Sequence, residues 1–280
     1  MMSVLIWPDL NPVAVHLGPF SIRWYALAYI AALLLAWRLL HRLVREAPAV
    51  ASPVQVDDFL SWATLGVVLG GRLGYVLFYQ PGYYFTHPLM IGAVWDGGMS
   101  FHGGLIGVAC AIAWFCHHNR VDTLGFADRV AVTAPIGLFL GRIANFINGE
   151  LWGRPAPKWW PFAMIYPRAG PIPRYPSELY EALLEGVVLF IVMYRLSRRE
   201  KLRRRAGFLT GSFLVGYAIA RIIGECFRQP DWFLRYLFFL APDRLLPVTM
   251  GQLLSVPLIP IGAWLIARSR RSEALPPASR

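Results

Sequence analysis

Seven long apolar runs decide what this chain can become. They lie at about 22–43, 59–79, 98–117, 130–148, 179–194, 208–227 and 248–267. A helix needs roughly 20 apolar residues to cross the hydrocarbon layer of a bilayer, and most of these runs reach that length. A water-soluble core cannot absorb so many of them. The composition agrees, with 56% hydrophobic and only 15% charged residues, against about 25% charged in a soluble domain. A chain inside lipid must satisfy its own backbone hydrogen bonds, and for runs of this length that means helices. The sequence therefore predicts an all-α, polytopic integral membrane protein: seven transmembrane helices in one domain over 1–272, then a disordered tail over 273–280. The lead over 1–20, with Pro8, Pro12 and Pro19, is expected to lie at the interface, and the aromatic segment 228–246 to hold a short interfacial helix. No cleavable signal peptide is expected, because no basic region precedes the first run.

The net charge of +11 would suggest nucleic acid in a soluble protein. Its placement argues otherwise. Arg38, Arg42 and Arg45 follow the first run, and Arg120 and Arg129 follow the third. Arg195, Arg198, Arg199, Lys201, Arg203, Arg204 and Arg205 follow the fifth, and Arg268, Arg270, Arg271 and Arg280 the seventh. The alternate segments hold fewer cations: Arg154, Lys158, Arg168, Arg174, Arg228, Arg235 and Arg244. Lys and Arg collect on the cytoplasmic side, so the N-terminus is expected outside and the C-terminus inside. The cluster over 195–205 suits anionic membrane lipids, and no nucleic-acid partner is expected. Cys110, Cys116 and Cys226 all lie in apolar runs without CxxC or Cys/His spacing, so they read as small buried hydrophobes. No metal site or cofactor is expected.

Against this background the polar residues stand out. The stretch Gly141-Arg-Ile-Ala-Asn-Phe-Ile-Asn-Gly-Glu-Leu-Trp-Gly-Arg154 ends the fourth run. On a helix its Arg142, Asn145 and Gly149 share one face. A cation at bilayer depth costs about 2.5–3.5 kcal/mol, so Arg142 needs either a partner carboxylate or a task. Arg72, His102, Arg221 and Glu225 raise the same question. Arg72 reads as a structural pair or a substrate contact, His102 as a backbone hydrogen-bond donor or a reactive group. Arg221 and Glu225, four residues apart, could be a plain ion pair. Glu178, Glu181 and Glu185 open the fifth run, where a first-turn carboxylate favours the helix dipole. The alternation of the runs places Tyr25, Arg72, His102, Arg142, Tyr217 and Arg221 in one layer on the non-cytoplasmic side. Arginines at that depth suggest an anionic ligand, and in a membrane the nearest is a phospholipid phosphate.

The stretch over 141–154 closely resembles the signature of the bacterial prolipoprotein diacylglyceryl transferases. The resemblance extends through Arg23-Trp-Tyr25, Gly97-Gly-Met-Ser-Phe-His-Gly-Gly104, Tyr175-Pro-Ser-Glu-Leu-Tyr-Glu181 and Glu225-Cys-Phe-Arg-Gln-Pro-Asp231. Two positions depart from the family pattern: Glu178, where Gln is common, and Tyr175, where some members have His. The resemblance implies a multi-pass protein of the bacterial inner membrane, with a small periplasmic-side cap and an active site in the periplasmic half. It also implies transfer of the diacylglyceryl group of phosphatidylglycerol to the lipobox cysteine of prolipoprotein signal peptides. That reaction needs a thiolate and a stabilised phosphate leaving group. On this reading Arg142 and Arg221 grip the phosphate and His102 is the candidate base. Asn145, Asn148 and Glu150 orient the arginines or the glycerol hydroxyls. Tyr25 and Tyr217 bound the headgroup, Gly153 lines the substrate site, and Glu225 tethers Arg221. The competing class is a transporter or flippase with an anionic-lipid site, which the lack of an obvious inverted repeat disfavours.

Overall fold

The structure, a computed structural model, describes residues 4–17, 20–94, 97–229 and 249–271. Strands β1 (Leu5–Ile6), β2 (Val13–Leu17) and β3 (Phe20–Arg23) lead into α1 (Trp24–Leu43) and α2 (Pro53–Phe78). A short α3 (Pro81–Thr86) and a 3-10 turn (Pro88–Gly92) precede α4 (Phe101–Asn119) and α5 (Thr123–Asn148). After β4 (Met164–Ile165) come α6 (Ser177–Glu181), a π-helical stretch (Ala182–Val188) and α7 (Leu189–Ser197). The chain continues with α8 (Glu200–Arg203), α9 (Phe208–Glu225), α10 (Met250–Ser255) and α11 (Leu258–Arg271). Each of the seven expected segments is occupied by helix. Among the described residues, five helical segments are long and apolar enough to cross a membrane: Trp24–Leu43, Pro53–Phe78, Thr123–Asn148, Phe208–Glu225 and Gly251–Arg270, the last running through α10 and α11. Of the other two expected spans, α4 is diluted by His117, His118 and Asn119 at its end, and the 177–197 segment changes helix type midway. Two helices are longer than their apolar runs: α2 starts at Pro53 and α5 at Thr123, because caps rather than hydrophobicity set those ends. Ser52 and Gln55 form a reciprocal capping box, with Gln55 N–H donating to Ser52 Oγ at 3.2 Å. Asp122 accepts from Gly125 N–H at 3.1 Å.

The lead was not legible as strands. Within it β2 and β3 form an antiparallel hairpin, and β1 pairs in parallel with β4. Strands of two to five residues broken by proline give too few alternating positions for a pattern to show. The expected helix within 228–246 falls almost wholly outside the described residues, as do Trp95, Asp96, Asp231, Arg235, Arg244 and the tail with Arg280.

Helix α5 is central, packing against α1, α4, α7, α9 and the π-helical stretch. Its N-terminal half meets the apolar core: Phe126 with Leu40, Val44, Phe59 and Phe115, and Val132 with Leu189, Met193, Leu209 and Phe213. At the same end Asp128 accepts from Gly207 N–H (2.9 Å), Thr210 N–H (2.7 Å) and the Thr210 hydroxyl (2.7 Å), capping α9 from a neighbouring helix. Arg129 donates to Pro48 O at 2.9 Å, and Arg203 to Ala47 O at 3.0 Å and Ser197 O at 2.6 Å. The cations of this end thus clamp loop carbonyls together. The other end of α5 carries the cap: Trp7 is buried, donates Nε1–H to Phe146 O at 2.9 Å, and leaves no room for a side chain at Gly149. Gly149 itself takes a left-handed conformation, φ +63°, as the helix C-cap.

Candidate active site

The last two turns of α5, the end of α6 with the start of the π-helical stretch, and the last two turns of α9 bring five charged side chains together. Arg142 Nε lies 2.9 Å from Glu181 Oε2, and its Nη2 3.4 Å from Glu185 Oε2. Arg221 Nη1 lies 3.2 Å from Glu181 Oε1 and 3.3 Å from Glu185 Oε1, while its Nη2 pairs with Glu225. Each of Glu181 and Glu185 therefore gives one oxygen to each guanidinium. The cluster is a bridged pair of arginines, with Glu181, Glu185, Arg221 and Glu225 all buried. Stray charges at this depth would cost several kcal/mol each, and only mutual pairing holds them there. The π-helical stretch begins immediately after Glu181, and π-turns are frequent at functional sites. Here the stretch sets Glu181 and Glu185 on the face that meets both arginines.

Glu181 and Glu185 are not among the residues the sequence assigns to the site. The sequence reading gives Asn145, Asn148 and Glu150 the orientation of the arginines or of the glycerol hydroxyls. In the structure the carboxylates that pair with Arg142 are those of the two glutamates. Their spacing with Glu178, three and four residues apart, marks one helix face and was the available signal. Asn145 and Asn148 are buried, and Asn148 Nδ2 donates to Glu150 Oε1 at 3.1 Å, so this pair shapes the lip where α5 ends. Glu225 does tether Arg221.

Tyr217 lies beside the cluster, fully buried, with its ring 5.1 Å from that of Phe101. Tyr25, near the start of α1, stands within electrostatic reach of Glu150 and Arg142. His102, in the first turn of α4, stands within electrostatic reach of Arg221 and Glu225. Its Nε2 is enclosed and makes no hydrogen bond to any described residue, and Arg221 Nε is in the same state. Arg142 binds through Nε and Nη2, which leaves Nη1 without a partner among the described residues. The layer therefore holds two guanidinium N–H groups and one imidazole nitrogen without a hydrogen-bond partner among the described residues. Space is tight elsewhere: a Cβ on Gly251, at the start of α10, would stand 3.2 Å from Arg221 Nε and strike Glu225.

Two predicted residues fall outside this cluster. Gly153 is a brace of the cap: its N–H donates to Tyr175 O at 2.9 Å, and a Cβ would stand 2.6 Å from Phe227 O. Arg72 donates to the carbonyls of Ile91 (2.9 Å), Met90 (2.6 Å), Gly97 and Gly98, and stacks over Tyr84 at 5.1 Å. Of its two readings the structure favours the structural one, holding the loop that leads into His102. Glu178 is buried against Tyr166, whose hydroxyl donates to Oε2 at 3.3 Å. Burial, and then the neighbouring carboxylate, hold that hydroxyl well above the usual tyrosine range, so it stays a neutral donor.

Comparison with known proteins agrees with the geometry. A family model described as prolipoprotein diacylglyceryl transferase matches residues 12–268. The chain belongs to this family. It is 63% identical over 271 residues to the phosphatidylglycerol–prolipoprotein diacylglyceryl transferase of Acidiphilium cryptum (strain JF-5), covering 96% of each chain. Identity to the enzyme of that name from Gluconacetobacter diazotrophicus is 60%, covering 99% of this chain and 96% of the relative. For Rhodospirillum centenum the values are 52%, 99% and 98%. Family members from three genera thus align over nearly the whole chain, cap and helices included.

Proposed function

We propose that this chain transfers the diacylglyceryl group of phosphatidylglycerol to the lipobox cysteine of a prolipoprotein. It works as a seven-span protein of the bacterial inner membrane, with the N-terminus and the Arg142 layer on the periplasmic side. The cysteine sulfur attacks the glyceryl carbon that bears the phosphate. The C–O bond breaks, its electron pair stays on the phosphate oxygen, and glycerol phosphate departs as the thioether forms. The thiol proton goes to His102 Nε2. The free N–H donors of Arg142 and Arg221 hold the phosphate as its charge grows. In a dry layer such fixed donors lose no energy to solvent reorganisation.

The observation that carries this reading is the bridged arginine pair, with donors left over beside an unpartnered imidazole nitrogen. Glu181 and Glu185 keep two like charges adjacent, so a phosphate meets both guanidiniums already in place. The test is incubation of membranes holding the chain with phosphatidylglycerol and a lipobox peptide. The expected product is a diacylglyceryl thioether detected by mass. Folded Arg142→Ala protein should form it at least 10²-fold more slowly, about the effect of deleting one oxyanion donor. A wild-type rate in that variant would remove the phosphate clamp. Lipid uptake by vesicles with no peptide modification would favour a transporter.

A further inference from the structure

Helix α1 ends in a basic feature that the transfer reaction does not use. Arg38, Arg42 and Arg45 are spaced by four and three residues, so they form one stripe. All three are exposed, and no described residue pairs with their side chains. The neighbouring acid, Asp57, is already engaged by Trp37 Nε1 and His41 Nε2, each at 2.7 Å. Two cavities flank the stripe and share Arg38 and Arg42. The polar one, of about 200 Å³, is completed by Trp37, His41 and Arg45. The other, of about 430 Å³, lies between α1, α5 and α7, and is completed by Leu35, Leu39, Ile136, Phe190 and Tyr194. That volume falls within the range of small-molecule sites, roughly 300–1,000 Å³.

A ligand filling both cavities needs an anionic head and an apolar tail. Leu35 and Leu39 precede Arg42 on the helix, so the tail points toward the bilayer centre. The C-terminal dipole of α1 opposes an anion with about half a charge, which three guanidiniums outweigh. A zwitterionic lipid gains less, because its own cation offsets the phosphate. Arg38 lies 13 residues after Tyr25, about 20 Å further along α1, so this groove is remote from the Arg142 layer.

We propose that this groove holds one anionic phospholipid. Its phosphate sits on Arg38, Arg42 and Arg45, and one acyl chain runs along Leu35, Leu39 and Phe190, resident in the fold and not consumed. The proposal goes beyond the transfer reaction and shares no residue with it. The test is native mass spectrometry of the full chain released from phosphatidylcholine vesicles containing phosphatidylglycerol. Replacing Arg38 and Arg42 together by Gln should remove one bound phosphatidylglycerol, whichever residue stands at 142. Its affinity should fall about thirtyfold, at the usual strength of a surface arginine near anionic lipid. The Lys pair at the same positions should retain it, and Leu39→Trp, which fills the apolar arm, should lose it. The same lipid count in the Gln pair and in wild type would overturn the proposal. So would equal retention of phosphatidylcholine, or displacement by inorganic phosphate, which would mark a site for a free anion. Should the Gln pair fail to fold, unchanged retention in Leu39→Trp overturns it alone. Thioether formation is read separately, so loss of this site and failure of the transfer reading are distinguishable.

Discussion

At the scale of single residues, the question is which atoms of the arginine pair are committed to the fold and which remain for chemistry. The contacts of Glu181 (2.9 and 3.2 Å) are shorter than those of Glu185 (3.4 and 3.3 Å). Glu181 is therefore the stronger tether. Breaking one partner of a buried pair costs about 3–5 kcal/mol. Thermal unfolding in detergent should show Glu181→Gln as the more destabilising of the two single changes. An equal or reversed order would mean that the bridge is not what holds the guanidiniums. His102 calls for a different readout. A general base works only when unprotonated, so the transfer rate should rise with pH through its titration. His102→Gln should flatten that limb, and an unchanged profile in the variant would assign the base elsewhere. Much of this layer is legible from sequence, because helical spacing places Arg221 and Glu225 on one stripe and Arg142 with Asn145 on one face. The bridging is not legible in the same way. A periodic pattern shows which face a glutamate occupies, but not which arginine on another helix stands opposite.

At the scale of elements, the pairing of α2 with α4 carries His102 into place. Gly66, Gly70 and Gly74 recur every fourth residue on α2, and Gly103 and Gly107 do so on α4. The spacing of Gly66 and Gly70 predicts close helix packing, and the backbones do meet. A Cβ on Gly66 would stand 2.6 Å from Gly107 O, and one on Gly74 2.6 Å from Gly103 Cα. In lipid no hydrophobic effect draws helices together, so such close contact supplies the attraction. Gly107→Leu should therefore separate α2 from α4, lower the unfolding temperature and depress transfer by displacing His102. Overpacking of this kind typically costs about 1–3 kcal/mol. Gly137→Leu on α5 is the matched control, because a Cβ there meets nothing within 4 Å. If both variants unfold alike, the glycine seam is not what sets the helix distance. The cap was less accessible to reasoning from sequence. Its holding contacts, such as Trp7 on Phe146 and Arg168 on Asn148 O at 2.8 Å, join residues far apart in the chain. No local pattern encodes them.

At the scale of the whole molecule, the charged groups separate into two ends with different physics. Arg129 and Arg142 sit on one helix, 13 residues and about 20 Å apart. Near Arg129 the cations clamp loop carbonyls, pair with Glu46 or Glu200, or stand exposed in a long basic series. Within the helices near Arg142, Arg142 is half-buried and Arg221 buried, and both are matched by carboxylates. Carrying the exposed series across the bilayer is the costly direction, since each arginine adds about 2.5–3.5 kcal/mol at the centre. The cluster over 195–205 should therefore stay in the cytoplasm, and the loop with Trp159 and Lys158 should face the periplasm. The natural cysteines Cys110, Cys116 and Cys226 would first be replaced by Ala. A single cysteine would then be placed at Lys158 or at Arg199. A membrane-impermeant maleimide added to intact spheroplasts should label the first position, and the second only after lysis. Labelling of Arg199→Cys in intact cells would invert the orientation. It would place the arginine pair on the cytoplasmic side, where it could not meet a cysteine already exported. On the proposed seven-span topology, spans one, three, five and seven share one orientation, so this experiment also fixes the leaflet of the Arg38–Arg42–Arg45 groove. The inner leaflet, with its negative surface potential, is the one in which three arginines without a partner among the described residues gain most.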